Sequence, residues 1–319
     1  MASTVHRHDG PPSLLPLLSS FSTLTAGTEF GSYKDPQWQF LLSGYDITGF
    51  VAQRDVKEKS FGGCVLRVNL DNVTTGFGMV LVDPPQRGMG IASLLLKTAF
   101  EGEKEGVRYV LAVCSLLGQP VYRKLGFKNA GMISMMTCLV STIWEMELPK
   151  NDVNCTAYDG KELNVDQRNC LFRLDQKATG FNREGRMKLL LDGYSEGSCS
   201  TVAFICADEE NIGYDADAVA VARQDCVGGP LVIGPIMGPD EYLLPLIHAL
   251  VRKHFDSIDS ASDISTTIMI SNHPNVVLRL LDIDGMKRLW ECPAMSSDGD
   301  PVYRNGDGSY LAMMHPTLG

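Results

Sequence analysis

Residues 87–92 read Arg-Gly-Met-Gly-Ile-Ala and stand between the apolar run Val80-Leu81-Val82 and an amphipathic segment that starts at Ile91. Such a stretch can hold an anion. Glycine has no Cβ, so a ligand can come close to the backbone. The first N–H groups of a helix lack intrahelical acceptors and sit at the positive end of its dipole. A pyrophosphate suits that cradle, and Arg87 adds a positive charge beside it. The pattern departs from the dinucleotide fingerprint, which needs Gly-x-Gly-x-x-Gly directly after a strand. Here Pro84-Pro85 intervene, the third glycine is absent and the next apolar run ends in Cys114-Ser115, with no acidic residue. That argues against a nicotinamide oxidoreductase.

Tyr122 is the titratable residue whose placement suggests chemistry. It lies in Gly118-Gln-Pro-Val-Tyr-Arg-Lys-Leu-Gly126-Phe127. A phenol of pKa about 10 can serve as a general acid. The alternative is a helix tyrosine that only packs. Ser115, at the end of the preceding apolar run, is placed to hold a sulfur or a water. No general base stands out. Asp83 and Asp46 flank strands, and each also reads as a turn or surface acid.

Arg-x-x-Gly-x-Ala after a buried strand, followed across a second strand by Tyr-x-x-x-Gly-Phe, resembles the GNAT superfamily of N-acetyltransferases. The likeness is strong over about residues 35–135 and rests on pattern more than motif over 160–319. It implies an α/β (α+β) fold of two GNAT-like domains, each a mixed, mostly antiparallel central sheet flanked by helices. It implies acetyl-CoA as co-substrate, held by Arg87, Gly88, Met89, Gly90, Ile91 and Ala92. The same likeness places Tyr122 near the CoA sulfur as the acid. It also gives a backbone N–H near Leu81 or Val82 the task of polarising the thioester carbonyl.

The elements that must position these groups follow from periodicity. Ile47–Gln53, Gly62–Leu70 and Gly76–Val82 read as three strands of an antiparallel meander. Ile91–Glu105 reads as a helix with Ile91, Leu94, Leu95 and Ala99 inward, ended by Gly106. Val107–Cys114 reads as a strand covered on both faces. A polar stretch at Leu148–Val153 reads as a linker, which divides the chain into residues 1–150 and 151–319. The second part repeats the plan with helices over Leu163–Gln176 and Phe181–Asp192. Strands over Thr201–Ala207, Val219–Arg223 and Pro230–Ile236 follow, then a helix over Glu241–Phe255. A strand over Thr266–Ile270 and a helix near Val276–Leu281 close the repeat. Its turn is Gly234-Pro235, without the arginine, and Leu281 stands before Gly285 where Tyr122 stands before Gly126. A leucine donates no proton, so the second part reads as a degenerate copy that shapes the acceptor pocket or binds something else.

Composition bounds the rest. A 319-residue chain allows two domains, and its formal net charge of −10 argues against binding nucleic acid. The nine cysteines form no Cys-x-x-Cys pair, so they read as reduced thiols of a cytoplasmic protein with neither disulfides nor a metal site. No apolar run reaches about 18 residues, which argues against a membrane partner. His6-Arg7-His8 before Leu14-Leu15-Pro16-Leu17-Leu18 has a faint signal-peptide look that Asp9 and Pro11-Pro12 break, so the start reads as unstructured and then helical. Gly193–Gly197 matches a hydrolase elbow around Ser195, but between a helix and a strand, the wrong order. His248 and His254 share no helix face. The expected activity is transfer of an acetyl group from acetyl-CoA to the primary amine of a small molecule, an amino acid or polyamine-like acceptor. The expected state is monomer or homodimer. The alternative is a non-catalytic acyl-CoA-binding sensor or scaffold.

Overall fold

The structure is a computed structural model that describes residues 4–26, 35–42, 46–55, 60–101, 105–148, 153–194, 196–206, 215–260, 262–271, 273–303 and 310–313. Its backbone forms two compact units, Met1–Ala130 with Ala294–Val302, and Gly131–Pro293 with Tyr303–Thr317. The boundary expected at 150 therefore falls inside the second unit, and the first unit recruits a segment from far down the chain. Of the expected linker, residues 149–152 lie outside the described residues.

Unit 1 opens with β1 (Thr4–Asp9), α1 (Gly10–Leu14), α2 (Leu18–Ala26) and α3 (Asp35–Leu42). The start is thus not unstructured: β1 pairs antiparallel with β2 (Asp46–Asp55) from Thr4↔Gln53 to Asp9↔Thr48. Next come β3 (Ser60–Asn69), β4 (Thr74–Val82), α4 (Ile91–Phe100), β5 (Arg108–Leu111) and α5 (Gln119–Lys124). The strands β2, β3 and β4 form the expected antiparallel meander. β4 and β5 run parallel, but only over Thr74–Gly76 against Arg108–Val110. One face of this sheet packs on α4 through Phe50, Val65, Phe77, Leu95 and Leu96, all buried. The other face packs on Leu14, Phe21, Trp38 and Leu41 of the first three helices. Buried Arg67 of β3 donates to Ala99 O at the end of α4 (3.1 Å) and lies over the Phe50 ring, tying helix to sheet.

The helix α4 is shorter than expected and turns slightly: Leu96 is buried, whereas Leu94 is 39% exposed. β5 also stops early. Ala112 and Cys114 are buried without being strand, because the chain leaves its partner there to build the turn into α5.

β6 (Lys128–Thr137) carries the chain into unit 2. There follow α6 (Val140–Trp144), β7 (Cys155–Asp159), α7 (Val165–Thr179), α8 (Glu184–Asp192), β8 (Cys199–Ile205) and β9 (Ala218–Gln224). Then come β10 (Leu231–Met237), α9 (Leu243–His254), β11 (Thr266–Ser271), α10 (Pro274–Leu281), β12 (Lys287–Ser296) and β13 (Tyr310–Ala312). β7 to β10 form a second antiparallel meander. β10 runs parallel to β11 over Leu231–Ile233 against Thr266–Ile268, repeating the β4–β5 arrangement. β9 and β10 are buried at every position, as strands covered on both faces must be. α7 starts on a capping box of Asn164 and Gln167 and stops at Gly180 in the left-handed region. Ser195 lies outside the described residues, and the order α8 then β8 around it is helix then strand.

The recruited segment is the feature that the sequence concealed. The end of β12 pairs antiparallel with β5 at Met295↔Leu111 and Ser296↔Val110. Behind it, buried Arg108 donates through Nε to Asp298 Oδ2 (2.7 Å) and through its two Nη atoms to Val302 O (3.2 Å), Asp300 O (2.8 Å) and Pro301 O (2.6 Å). One guanidinium thus gathers a loop nearly two hundred residues away in sequence. Partial burial raises the Asp298 carboxyl, but bonds from Arg108 and Ser296 outweigh it and hold its pKa below the ordinary 3.8.

Arg108→Leu should cost about 2–4 kcal/mol, read as a lower urea midpoint, because it leaves several acceptors without their donor. Asp298 has a depressed folded-state pKa. Its contribution is present above the unfolded value and fades as pH falls through the folded one. The Arg108→Leu loss should accordingly shrink below about pH 4. A stop near Lys150 removes the strand beside β5, so that truncation should yield a destabilised unit 1.

Candidate active site

Asp83, Arg87, Gly88, Met89 and Gly90 sit on the loop that links β4 to α4. Gly88 has φ +78° and Gly90 φ +80°, the left-handed region where a side chain is strained. A Cβ on either glycine would meet nothing within 4 Å. Conformation therefore demands glycine here, and the space beside both is open. Gly90 is the N-cap residue of α4, and the first helix bond runs from Leu94 N–H to Gly90 O (3.0 Å). The N–H groups just before it are those that a helix of this kind leaves to an outside acceptor. Met89 is 62% exposed on the loop, while Ile91 is buried and anchors the helix start. Ala92 is half-buried behind it.

Arg87 is exposed, and its Nε donates to Val82 O (3.3 Å). The loop folds back on the end of its own strand and keeps a positive charge at the cleft edge. Asp83 opens the Pro84–Gln86 turn and accepts from Gln86 Nε2 (3.2 Å), while Gln86 N–H donates to Asp83 O (2.8 Å). Its carboxylate is engaged in the turn. Buried Gln86, which no motif marks, braces the loop from within.

The pairing of β3 with β4 distinguishes Leu81 from Val82. Asp83 N–H donates to Gly62 O (3.0 Å) across that edge. Backbone groups alternate along a strand. The Leu81 N–H therefore faces β3 as well, opposite Cys64 in the ladder; burial pushes the Cys64 thiol up to about 12. The Val82 amide faces the opposite edge, toward β5, as its carbonyl does in accepting from Arg87. β4 bulges just before, with two residues opposite one between Gly78 and Leu81, and Met79 at φ +51°. The bulge turns the strand away from β5 after Gly76.

On the β5 side, Ser115 Oγ accepts from Gly118 N–H (3.2 Å), and Ser115 O accepts from Gly118 N–H (3.0 Å) and Gln119 N–H (3.1 Å). Ser115 closes the turn into α5. Tyr122 is 6% exposed and packs on Phe127 at 6.1 Å. A Cβ at Gly118 would lie 2.7 Å from Tyr122 Cε2, 3.3 Å from its Cζ and 3.4 Å from Ser115 Oγ. The hydroxyl end of Tyr122 and the Ser115 hydroxyl are therefore gathered at the start of α5. Gly118 is a positioning residue that the motif reading missed. Burial, with a smaller contribution from Cys114, pushes the Tyr122 phenol well above its ordinary 10. Leu116 and Leu117 stand exposed on the same turn. Residues 27–34 and 43–45 lie outside the described residues. Among the described residues no group of three His, Cys, Asp or Glu is placed to hold a metal, and no helix is long and apolar enough to cross a membrane.

Residues 46–129 match the family model of the acetyltransferase (GNAT) domain. Residues 46–129 are a GNAT domain. The matched span runs from β2 to the start of β6, contains both the 87–92 loop and Tyr122, and places this domain among the acyltransferases. No curated protein sequence matches the chain. Solved structures show a likeness of fold. One is a Pyrococcus horikoshii protein assigned to the acetyltransferases, at 15% identity over 99% of this chain and 96% of its own, with TM-score 0.67. A second is a tandem GNAT protein of the clavulanic acid biosynthesis pathway, at 11% identity over 92% of this chain and 98% of its own, with TM-score 0.65. A third is the glucosamine N-acetyltransferase region of a fungal multi-domain β-N-acetylglucosaminidase, at 13% identity over 93% of this chain and 38% of that one, with TM-score 0.65. The fold across both units is thus that of GNAT proteins.

Adding a methyl group at Gly118 tests the packing of the GNAT domain's tyrosine. Gly118→Ala should displace the Tyr122 ring, visible as a changed near-ultraviolet circular dichroism signal. Gly90→Ala, whose methyl touches nothing, should cost about 1 kcal/mol through its backbone conformation alone, measured by chemical denaturation.

Proposed function

We propose that this chain transfers an acetyl group from acetyl-CoA to the primary amine of a small molecule, an amino acid or polyamine-like compound. The observation that carries the proposal is the loop at 87–92: two left-handed glycines with open space beside them, at the start of a helix, with Arg87 at the rim. Those residues fit a pyrophosphate. Acetyl-CoA supplies an activated acetyl group at the end of a long arm, and the parting of β4 from β5 gives that arm a place beside the strand. The exposed Met89, Leu116 and Leu117 offer apolar contact on the two turns that bound it.

In this reading the Val82 N–H donates to the thioester oxygen, whose charge grows as the amine nitrogen attacks the carbonyl carbon. Val82 is favoured over Leu81 because the Leu81 N–H is turned toward β3. The C–N bond forms, the amine's proton passes to water, and the C–S bond breaks. Tyr122 gives its phenolic proton to the departing sulfur and regains one from solvent. Burial keeps the phenol protonated and able to donate, while the raised pKa makes it a weaker acid toward the sulfur. Ser115 positions the turn. With its carboxylate held by Gln86, Asp83 is assigned to the loop, and a water takes the base role. The net charge of −10 favours a cationic acceptor. Glucosamine joins the acceptor panel because the fungal region named above is a glucosamine N-acetyltransferase.

Titration calorimetry should find one acetyl-CoA site per chain. Gly90→Asp should abolish it, because a carboxylate would fill the open space meant for phosphate. Two sites, or unchanged binding in the variant, would refute the assignment. Thiol release measured across an amine panel separates an enzyme from a sensor: a chain that binds acetyl-CoA but turns over none of the amines acts as a sensor.

Tyr122→Phe should lower kcat by about a hundredfold or more with acetyl-CoA affinity within about threefold, since only the proton donor is lost. A group whose pKa is raised above 10 stays protonated below it. The wild-type rate should therefore show no falling limb from Tyr122 between pH 7 and 10. A rate in Tyr122→Phe near that of wild type assigns the ring to packing.

A further inference from the structure

Unit 2 repeats the geometry of the GNAT cleft and fills it. β10 and β11 run parallel over three residue pairs, Leu231↔Thr266 to Ile233↔Ile268. β10 then shifts register against β9 between Ile233 and Ile236 and parts from β11. β4 and β5 do the same in unit 1. In unit 2 the last described strand, β13, enters the gap. It pairs antiparallel with β10 at Ile236↔Ala312 and Met237↔Tyr310, and with β11 at Ile270↔Ala312. Met313 N–H donates to Met269 O (2.8 Å). Ala312 thus has a strand on each side, and all of Tyr310–Met313 is buried.

The gap is shaped for a strand. A Cβ on Gly234, whose φ is +146°, would run into Met313 O, so glycine lets the two backbones touch. Tyr310 has a polar anchor. Its hydroxyl accepts from Arg183 Nη1 (3.2 Å), and the guanidinium lies 5.3 Å from its ring centroid. Arg183 is itself buried and paired with Asp175. Conversely, little here suits a pyrophosphate. Pro239 and Pro245 lack N–H groups, and Asp240 and Glu241 put negative charge just before α9.

We propose that the β10–β11 cleft is a strand-accepting groove whose ligand is an extended Tyr-x-Ala peptide, here the chain's own Tyr310–Met313. The parallel with the acyl-CoA cleft rests on the function proposed above; the groove itself does not. Main-chain bonds on both edges give affinity, and the Arg183 site for tyrosine gives specificity. Tethering raises the effective concentration of the segment to the order of millimolar, so it outcompetes the same peptide in solution.

The test uses the full chain and a labelled synthetic peptide covering residues 308–316. Ala312→Arg should expel β13, since the side chain at 312 is wholly buried in the apolar core on one face of the sheet. The variant should then bind the peptide at one per chain, and at least tenfold more tightly than wild type, whose groove is filled. The same peptide carrying Tyr310→Phe should bind about tenfold more weakly through loss of the bonds to a charged donor. A folded Ala312→Arg chain that binds no peptide, or wild type binding it equally well, overturns the proposal. If the variant does not fold, refolding it with the peptide must restore the wild-type far-ultraviolet spectrum, and failure to do so counts against the groove. Acetyl-CoA titration of the wild-type chain is read separately. Its failure would remove the acyl-transfer reading and leave the peptide result standing.

Discussion

A strand that leaves its neighbour must find new partners for its backbone. The N–H and C=O groups of a β-strand are strong donors and acceptors, and unpaired ones are costly away from water. In both units one parallel strand pair lasts three residues before a bulge turns the first strand away. Each parting creates a short row of backbone groups facing a gap. In unit 1 the row includes the Val82 amide and carbonyl, with Arg87 bonded to the carbonyl. In unit 2 the row is met by β13. The same constraint has two solutions, a small molecule proposed for one and a peptide segment seen in the other.

What surrounds each gap decides which solution it takes. The loop after β4 has glycines at both left-handed positions and offers helix N–H groups. The corresponding stretch after β10 offers prolines and carboxylates. Near a helix start a carboxylate is favourable for the helix itself but competes with any bound phosphate. These are local choices, made in a handful of residues on an otherwise shared backbone plan, and they explain how one fold can be repeated in a chain without its chemistry being repeated.

The local choices were legible in the sequence because each has a residue-type signature. Gly88, Gly90 and Gly126 stand out by residue type and spacing, and in the structure all three have positive φ. The meander β2–β4 and the strands β8, β9, β10 and β11 of unit 2 were legible from apolar runs. Other features carried no such mark. β13 is three residues long, too short for periodicity to register. β12 is exposed over its first half, buried over its second and contains Pro293, so neither alternation nor a continuous apolar run appears. β1 reads Thr-Val-His-Arg-His-Asp, with few apolar residues, yet pairs along its whole length. At Val107–Cys114 the apolar run was longer than the strand, since burial and strand pairing are separate demands and the chain satisfied only the first after Leu111.

The division into units failed in the sequence for a more general reason. A polar, proline-broken stretch near 150 is a good local sign of a linker, but compactness is decided by contacts that composition does not see. Arg108 reads in sequence as a charge at the start of an apolar run. In the fold it is a buried donor whose acceptors are an aspartate and three carbonyls at 298–302. A buried guanidinium is tolerable only if it is surrounded by acceptors, so a loop had to be brought to it. That requirement joins the segment after β12 to unit 1, and β12 with it to the edge of β5. The strand beside the GNAT domain's β5 is therefore supplied from beyond residue 290. The two halves of the sequence are for that reason not the two compact units of the structure, and the acyl-transfer domain is complete only when the later part of the chain has been made.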